Sequence, residues 1–191
     1  SLSNLSALIA DKDAADAPIA GSFDIAGVQL AEVAELLESD YDGIDGLAEV
    51  SGMLSGTLKA PVISGTARVA HALTSTADIT EAEVPFKFAD NVLAVDDAVV
   101  HAQGAELHVH GTIEFSEPPV LSARLSATDI YLEGIHHLRR YGMDMSGLLH
   151  IPVARVEGPL DTLTGRGLLV AKKVSIDSET VEDLEAEVTL A

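Results

Sequence analysis

The chain has no cysteine and no tryptophan among its 191 residues, and aromatic residues make up only 4% of it. Without cysteine there are no disulfides, no thiolate metal ligands and no cysteine nucleophile; a bacterial periplasm and a cytosol are both compatible with that lack. Without large rings to anchor it, the apolar content has to be aliphatic, which suits a smooth surface better than a tight enzyme pocket. Positive charge is scarce as well: 11 Lys and Arg stand against 31 Asp and Glu, a formal net charge of −20. A phosphate backbone needs a basic footprint that this balance does not supply, which argues against nucleic acid as a partner. Peripheral docking on anionic lipid is disfavoured for the same reason. No apolar run reaches the roughly 18 residues of a bilayer-spanning helix, and no signal peptide opens the chain. The sequence starts inside what reads as a strand, Leu2 to Ala10, and ends inside another at Leu190. It is therefore expected to be a piece of a longer protein whose targeting segments lie elsewhere.

What is present is aliphatic residue in quantity. Apolar residues reach 47% and mean hydropathy is +0.26, high for so acidic a chain. Alternation within segments reconciles the two. Ala105, Leu107, Val109, Gly111, Ile113 and Phe115 fall on one side of a period-2 pattern, and Glu106, His108, His110, Thr112 and Glu114 on the other. Eleven alternating residues predict a strand longer than the usual 5–6 or so. The pattern recurs. Leu121, Ala123, Leu125 and Ala127 oppose Ser122, Arg124, Ser126 and Thr128; Val84, Phe86 and Phe88 alternate with Pro85 and Lys87. Leu168, Val170, Val174 and Ile176 are read as one face with Lys172 intruding, and Ala186, Val188 and Leu190 oppose Glu185, Glu187 and Thr189. Turn signals separate these runs at Asp90-Asn91, Gln103-Gly104, Glu117-Pro118-Pro119, Glu157-Gly158-Pro159 and Ile176-Asp177-Ser178. Short strands with one apolar face and hairpin-length links predict an antiparallel, all-β sheet.

Two stretches depart from period 2. Val28 to Glu38 and Tyr131 to Arg140 space their apolar residues as helices do, each about ten residues long and in need of docking. A shift of 102 residues superposes Val28 on Ile130, Leu30 on Leu132, Val33 on Ile135 and Leu36 on Leu138. It also carries Gly56-Thr-Leu58 onto Gly158-Pro-Leu160 and Gly65 onto Gly167. The chain therefore reads as a single repeat-built segment over 1–191, with internal units at about 20–110 and 122–191.

Three features carry a family resemblance. One is Leu54-Ser-Gly-Thr-Leu-Lys-Ala-Pro-Val-Ile-Ser-Gly-Thr-Ala67; another is Val84-Pro-Phe-Lys-Phe-Ala-Asp-Asn-Val-Leu-Ala-Val-Asp-Asp-Ala98, running into the alternating strand with its central Gly111. The third is the strand–helix–Gly-x-Leu unit that occurs twice, although the second copy has Leu163 where the first has Pro61. In this order and spacing, over roughly 20–190, the chain resembles the AsmA-like superfamily and its TamB-type envelope proteins. The resemblance implies a curved, mostly antiparallel sheet folded into an open U-shaped trough, sometimes called a β-taco. It also implies the periplasmic part of a protein anchored in the inner membrane, with phospholipid transfer toward the outer membrane as its activity and an outer-membrane barrel protein as a partner.

The residues themselves are compatible with a groove. Inward candidates are mostly Ala, Val, Leu and Ile, too small to fill the centre of a closed barrel, and each buried acyl methylene gains about 0.8 kcal/mol. About a dozen strands would give a groove on the order of 55 Å long. The expected lining is Val84, Phe86, Phe88, Leu107, Val109, Ile113, Phe115, Leu121, Leu125, Leu168, Val170, Val188 and Leu190, with phospholipid acyl chains as ligand. The runner-up is a structural or chaperone-like β scaffold that aids barrel-protein assembly by strand augmentation. End-to-end self-association through free sheet edges is a further expectation.

Catalytic and metal constellations were sought in the same pattern. His108 and His110 share a face, near which Glu106 and His101 could lie, but a hydrolase site needs further ligands converging in a cleft, so a solvated face is the expected reading. His136 and His137 are adjacent on a short predicted helix and cannot both face one ion. Asp40 to Asp45 has alternate carboxylates like a calcium loop but lacks the distal Glu. There is no Gly-x-Ser-x-Gly elbow, and Gly165-Arg-Gly167 is not a phosphate loop. The chain is expected to be no enzyme and to hold neither metal nor cofactor.

Overall fold

The computed structural model describes residues 16–32, 44–74, 78–134, 145–176 and 179–190. Ten strands run through them: β1 Gly21–Gln29, β2 Asp45–Gly56, β3 Pro61–Leu73, β4 Asp78–Ala89, β5 Val92–Ala102, β6 Ala105–Glu114, β7 Val120–Tyr131, β8 Met145–Pro159, β9 Thr164–Ile176 and β10 Glu179–Leu190. They form one antiparallel meander in sequence order, open at β1 and β10 and not closed into a barrel. Nine steps of about 4.8 Å make the sheet roughly 43 Å wide, shorter than a dozen strands would give. Asp90-Asn91 and Gln103-Gly104 close their hairpins as two-residue turns, all four residues at positive φ. That is the turn geometry whose twist matches the flanking strands.

Connections alternate between two ends of the sheet. The near end joins β1 to β2, β3 to β4, β5 to β6, β7 to β8 and β9 to β10; the far end joins the intervening pairs. Every odd-numbered strand carries an extra residue relative to a neighbour, as between Ile25 and Val28, Val69 and His71, Val95 and Ala98, Ala127 and Ile130, and Lys172 and Ser175. Four of these bulges contain a residue at positive φ: Gly27, Asp97, Asp129 and Lys173. A bulge bends its strand and increases local twist, so this sheet bends at intervals across its width.

Burial concentrates toward the near end. Seven of the ten buried apolar residues are alanines: Ala48, Ala72, Ala82, Ala98, Ala105, Ala127 and Ala171. Two clusters organise them. In one, Ala48, Val69, Ala72 and Ala82 pack with Val28, Leu30, Ile79 and Val100; in the other, Leu132, Ala171 and Val174 pack with Met145 and Leu149.

Both predicted helices are replaced in part. Val28 and Gln29 belong to β1, paired with Ala48 and Leu47, and residues 30–32 are helical; positions 33–38 lie outside the described residues. Tyr131 ends β7 and Leu132–Gly134 is a single 3-10 turn, with 135–140 likewise outside. In each stretch the first residues are the end of a strand, followed by helix from Leu30 in the first and by the 3-10 turn in the second, with Leu30 and Leu132 packing onto the sheet. The strand expected over Leu2–Ala10, most of the acidic loop from Asp40 and the pair His136-His137 lie outside the described residues too. Gly158-Pro159 is strand rather than turn, the turn following at Leu160.

Candidate functional site

Directly opposed residues in antiparallel strands share a face, so the pairings assign sides across the whole sheet. One cross-strand row runs Phe23, Gly52, Gly65, Phe86, Val95, Gly111, Ala123, Val156, Gly165, Leu190, one residue from each strand and all apolar. A second row, closer to the far end, is Leu54, Ile63, Phe88, Leu93, Ile113 and Leu121 on β2 to β7. Six large aliphatic or aromatic side chains in direct register span about 24 Å. None is fully buried; all are half-buried. Phe115 extends this patch, its ring edge-on to Phe88 at 6.0 Å and 41% exposed. Two glycines in the first row have a steric reason. A Cβ at Gly65 would overlap the Ser51 carbonyl oxygen, and one at Gly52 would meet the ring of Phe23 at 2.7 Å. Strands β2 and β3 therefore approach more closely there than side chains allow.

Eleven of the thirteen residues expected to line a groove share this apolar side: Val84, Phe86, Phe88, Leu107, Val109, Ile113, Leu121, Leu125, Val188 and Leu190 by pairing, and Phe115 by its ring contact. Val188 and Leu190 sit on the edge strand, 48% and 56% exposed. Leu168 and Val170 are a correction. They pair with Glu187 and Glu185 on β10 and with Val153 and His150 on β8, which places them on the polar side. The cause is the bulge at Lys173, φ +51. It lets Ala171 and Val174, three apart, enter one cluster, so counting back in twos from Val174 gives the wrong face for everything before it. The residues of β9 that face the apolar side before the bulge are Gly165, Gly167, Leu169 and Ala171. Several neighbours of the lining were not singled out from sequence, among them Leu54, Ile63 and Leu93. Their strands interrupt period 2 with Ser, Gly or Ala, and only the register aligns them.

The polar side carries the histidines as alternation requires. His108 lies between two carboxylates, Nδ1 3.0 Å from Asp97 Oδ1 and Nε2 3.0 Å from Glu106 Oε1. Those hydrogen bonds, Asp97 first and Glu106 second, raise the His108 pKa above its ordinary 6.5. The bond from His108 is in turn the main cause of a lowered Asp97 pKa. The Asp97 backbone N–H, which the bulge removes from the ladder, donates to His110 Nδ1 at 3.1 Å. That nitrogen is thus an acceptor, and its 3.4 Å approach to Asp96 Oδ1 is not a second hydrogen bond. Asp129 repeats the device, its N–H donating to His150 Nδ1 at 3.4 Å. Histidine rings here satisfy the orphan N–H of aspartate bulges. Asp96 and Asp97 were not legible as partners because a bulge, not alternation, brings them to the histidines. Among the described residues no three His, Asp or Glu side chains converge as a metal site, and no helix is long and apolar enough to cross a membrane.

The chain matches no family model, no curated protein and no solved structure.

Proposed function

We propose that the apolar side is a lipid-carrying groove, and that the chain is a segment of an AsmA-like, TamB-type envelope protein passing phospholipid between inner and outer membranes through the periplasm. The observation that carries this reading is the half-buried row Leu54, Ile63, Phe88, Leu93, Ile113, Leu121. In an ordinary core the largest apolar side chains are the most buried; here seven of the ten buried apolar residues are alanines, and Leu132 is the one buried Leu, Ile or Phe among the described residues. Exposed apolar area is unfavourable by about 25 cal/mol per Å², and an acyl chain laid along the row relieves that without directional chemistry. The bulge in every odd-numbered strand supports a sheet that folds into a trough. The chain works by holding and passing its ligand rather than by catalysis: His108, His110 and His150 are engaged by bulges or carboxylates on the opposite side from the groove.

A repeat-built origin is part of the same proposal. Leu30, Val69 and Ala72 of one cluster recur 102 positions later as Leu132, Ala171 and Val174 of the other. Gly46 and Gly147, at φ +151 and +136, each approach the facing strand at matching places, His71–Ala72 and Lys173–Val174.

A scaffold that binds other β segments is a second reading, favoured by the two edges, since among the described residues β1 and β10 each pair on one side only. The edges differ: β10 carries Glu179, Glu182, Asp183, Glu185 and Glu187, which oppose self-pairing, whereas β1 carries only Asp24. End-to-end association or capture of a barrel-protein strand would use β1.

Native mass spectrometry of the purified chain, followed by lipid extraction, tests the proposal. Co-purified phospholipid that is lost from a folded Val109→Asp or Ile113→Asp variant is the expected result. A chain that binds neither native nor fluorescent phospholipid, or binds it equally in those variants, overturns the groove. Proline in β1 that abolishes partner capture while sparing lipid would favour the scaffold.

A further inference from the structure

On the polar side, pairing sets His110 opposite Arg124, Arg124 opposite Arg155 and Arg155 opposite Arg166, a row over four adjacent strands. Like charges directly opposed across a ladder are destabilising, and the chain has only 11 basic residues to spend against 31 acids. None of the three arginines forms an ion pair or hydrogen bond among the described residues, in contrast to Arg68, which meets Glu83 at 3.3 Å. His110, Arg124 and Arg155 line an open depression of about 800 Å³ together with Lys87, Thr112 and Ser122, and with Phe86, Val95 and Gly111 of the first apolar row. Arg166 stands beside Arg155 on a second depression of about 450 Å³. Carboxylates are close, but among the described residues none pairs with these arginines: Asp96, 3.4 Å from His110 Nδ1, and Glu157 share the first depression, and Glu185 and Glu187 the second.

We propose that this row, set by pairing on the polar side of the sheet, is an anion-binding site for a compact phosphate-bearing solute. Guanidinium groups offer planar paired donors matched to phosphate oxygens, and the Thr112 and Ser122 hydroxyls add neutral donors beside them. A bound anion would offset the arginine–arginine repulsion directly, which the nearby carboxylates, none paired with an arginine among the described residues, do only at longer range. The surrounding charge of −20 selects for size. It repels an extended polyanion or an anionic membrane surface at long range, whereas a small anion inside the depression is held by short-range contacts.

Calorimetric titration of the whole chain with inorganic pyrophosphate at low ionic strength is the test. Wild type binds; Arg155→Gln and Arg124→Gln each weaken binding on the order of tenfold; Lys59→Gln, outside the depression, leaves it unchanged. Without anion, Arg155→Gln melts higher than wild type because two repulsive contacts are gone. Absence of pyrophosphate binding, or equal binding in both arginine variants, overturns the site. So does a lower melting temperature for anion-free, folded Arg155→Gln, which would make Arg155 a structural counter-ion for Glu157. Arginine-dependent flotation with phosphatidylglycerol vesicles, but not phosphatidylcholine vesicles, in a chain that ignores pyrophosphate would transfer the phosphate to a lipid headgroup and overturn the compact-solute assignment.

Discussion

The two ends of the apolar side are built on opposite rules. Toward the near end the buried residues are mostly alanines, with Leu30 packing against Ala48, Val69, Ala72 and Ala82, and Leu132 against Ala171 and Val174. Toward the far end they are Leu54, Ile63, Phe88, Leu93, Ile113 and Leu121, and all stay half-open. Side-chain size and burial are therefore inversely arranged, the reverse of a core in which large groups supply most of the buried area. Small residues let the bulged strands come together at one end. Large residues at the other end hold apolar surface that nothing within the described residues covers. On the groove proposed above, ligand affinity would belong to the open end and stability to the alanine end, so the two are expected to separate under mutation.

The largest effect is expected where the ends meet. Gly65→Val places a branched side chain against the Ser51 carbonyl, and backbone must shift to admit it. A loss of about 3 kcal/mol or more in urea unfolding is expected, at the upper range of single substitutions. Next comes Ala127→Leu at the closed end, where Ala127 is 1% exposed. Overpacking there costs about 1–3 kcal/mol. Ile113→Ala at the open end should cost only about 1 kcal/mol, below the 2–5 kcal/mol or so of a fully buried site, because the side chain is already half in water. If Ile113→Ala proves as destabilising as Ala127→Leu, the open end is structural core and the division fails.

A finer comparison sets adjacent residues of β9 against each other. Leu169 pairs with Ala186 on the apolar side, and Leu168 with Glu187 on the polar side. Leu169→Ser is expected to reduce phospholipid co-purification while Leu168→Ser leaves it unchanged; the opposite order would restore the face read from simple alternation. That residue pair also marks the limit of what the amino-acid pattern conveys. Strand content, antiparallel pairing and the two-residue turns at Asp90-Asn91 and Gln103-Gly104 were legible because period 2 and turn chemistry are local signals. The apolar side of β4, β6 and β7 was legible for the same reason. Lys173 broke the reading of β9 because a lysine at positive φ gives no sequence signal of a bulge, and one extra residue inverts every assignment beyond it. The helix read from Val28 starts only at Leu30, because Val28 and Gln29 are held by pairing with β2 as the end of β1. The arginine row was invisible for another reason: Arg124, Arg155 and Arg166 lie far apart in sequence, and only register brings them together.

The smallest predicted effect concerns what holds the boundary between the ends. On β5 that boundary is the bulge between Val95, in the open half, and buried Ala98, and Asp97 within it is held by His108. His108 has a raised pKa, so its contribution is complete below the unfolded value of 6.5 and is lost as pH rises through the higher folded value. Asp97 has a lowered pKa, so its contribution is complete above 3.8 and is lost as pH falls through the lower folded value. The two overlap between those reference values, and there the pair stabilises most. His108→Gln should therefore lower the melting temperature most in mildly acidic buffer and least in alkaline buffer, where the wild-type imidazole is neutral. Both groups are exposed, so the difference should be small and should shrink as salt is added. A deficit that persists unchanged at alkaline pH would mean that His108 acts by shape, and that the bulge dividing the closed end from the open one does not depend on charge.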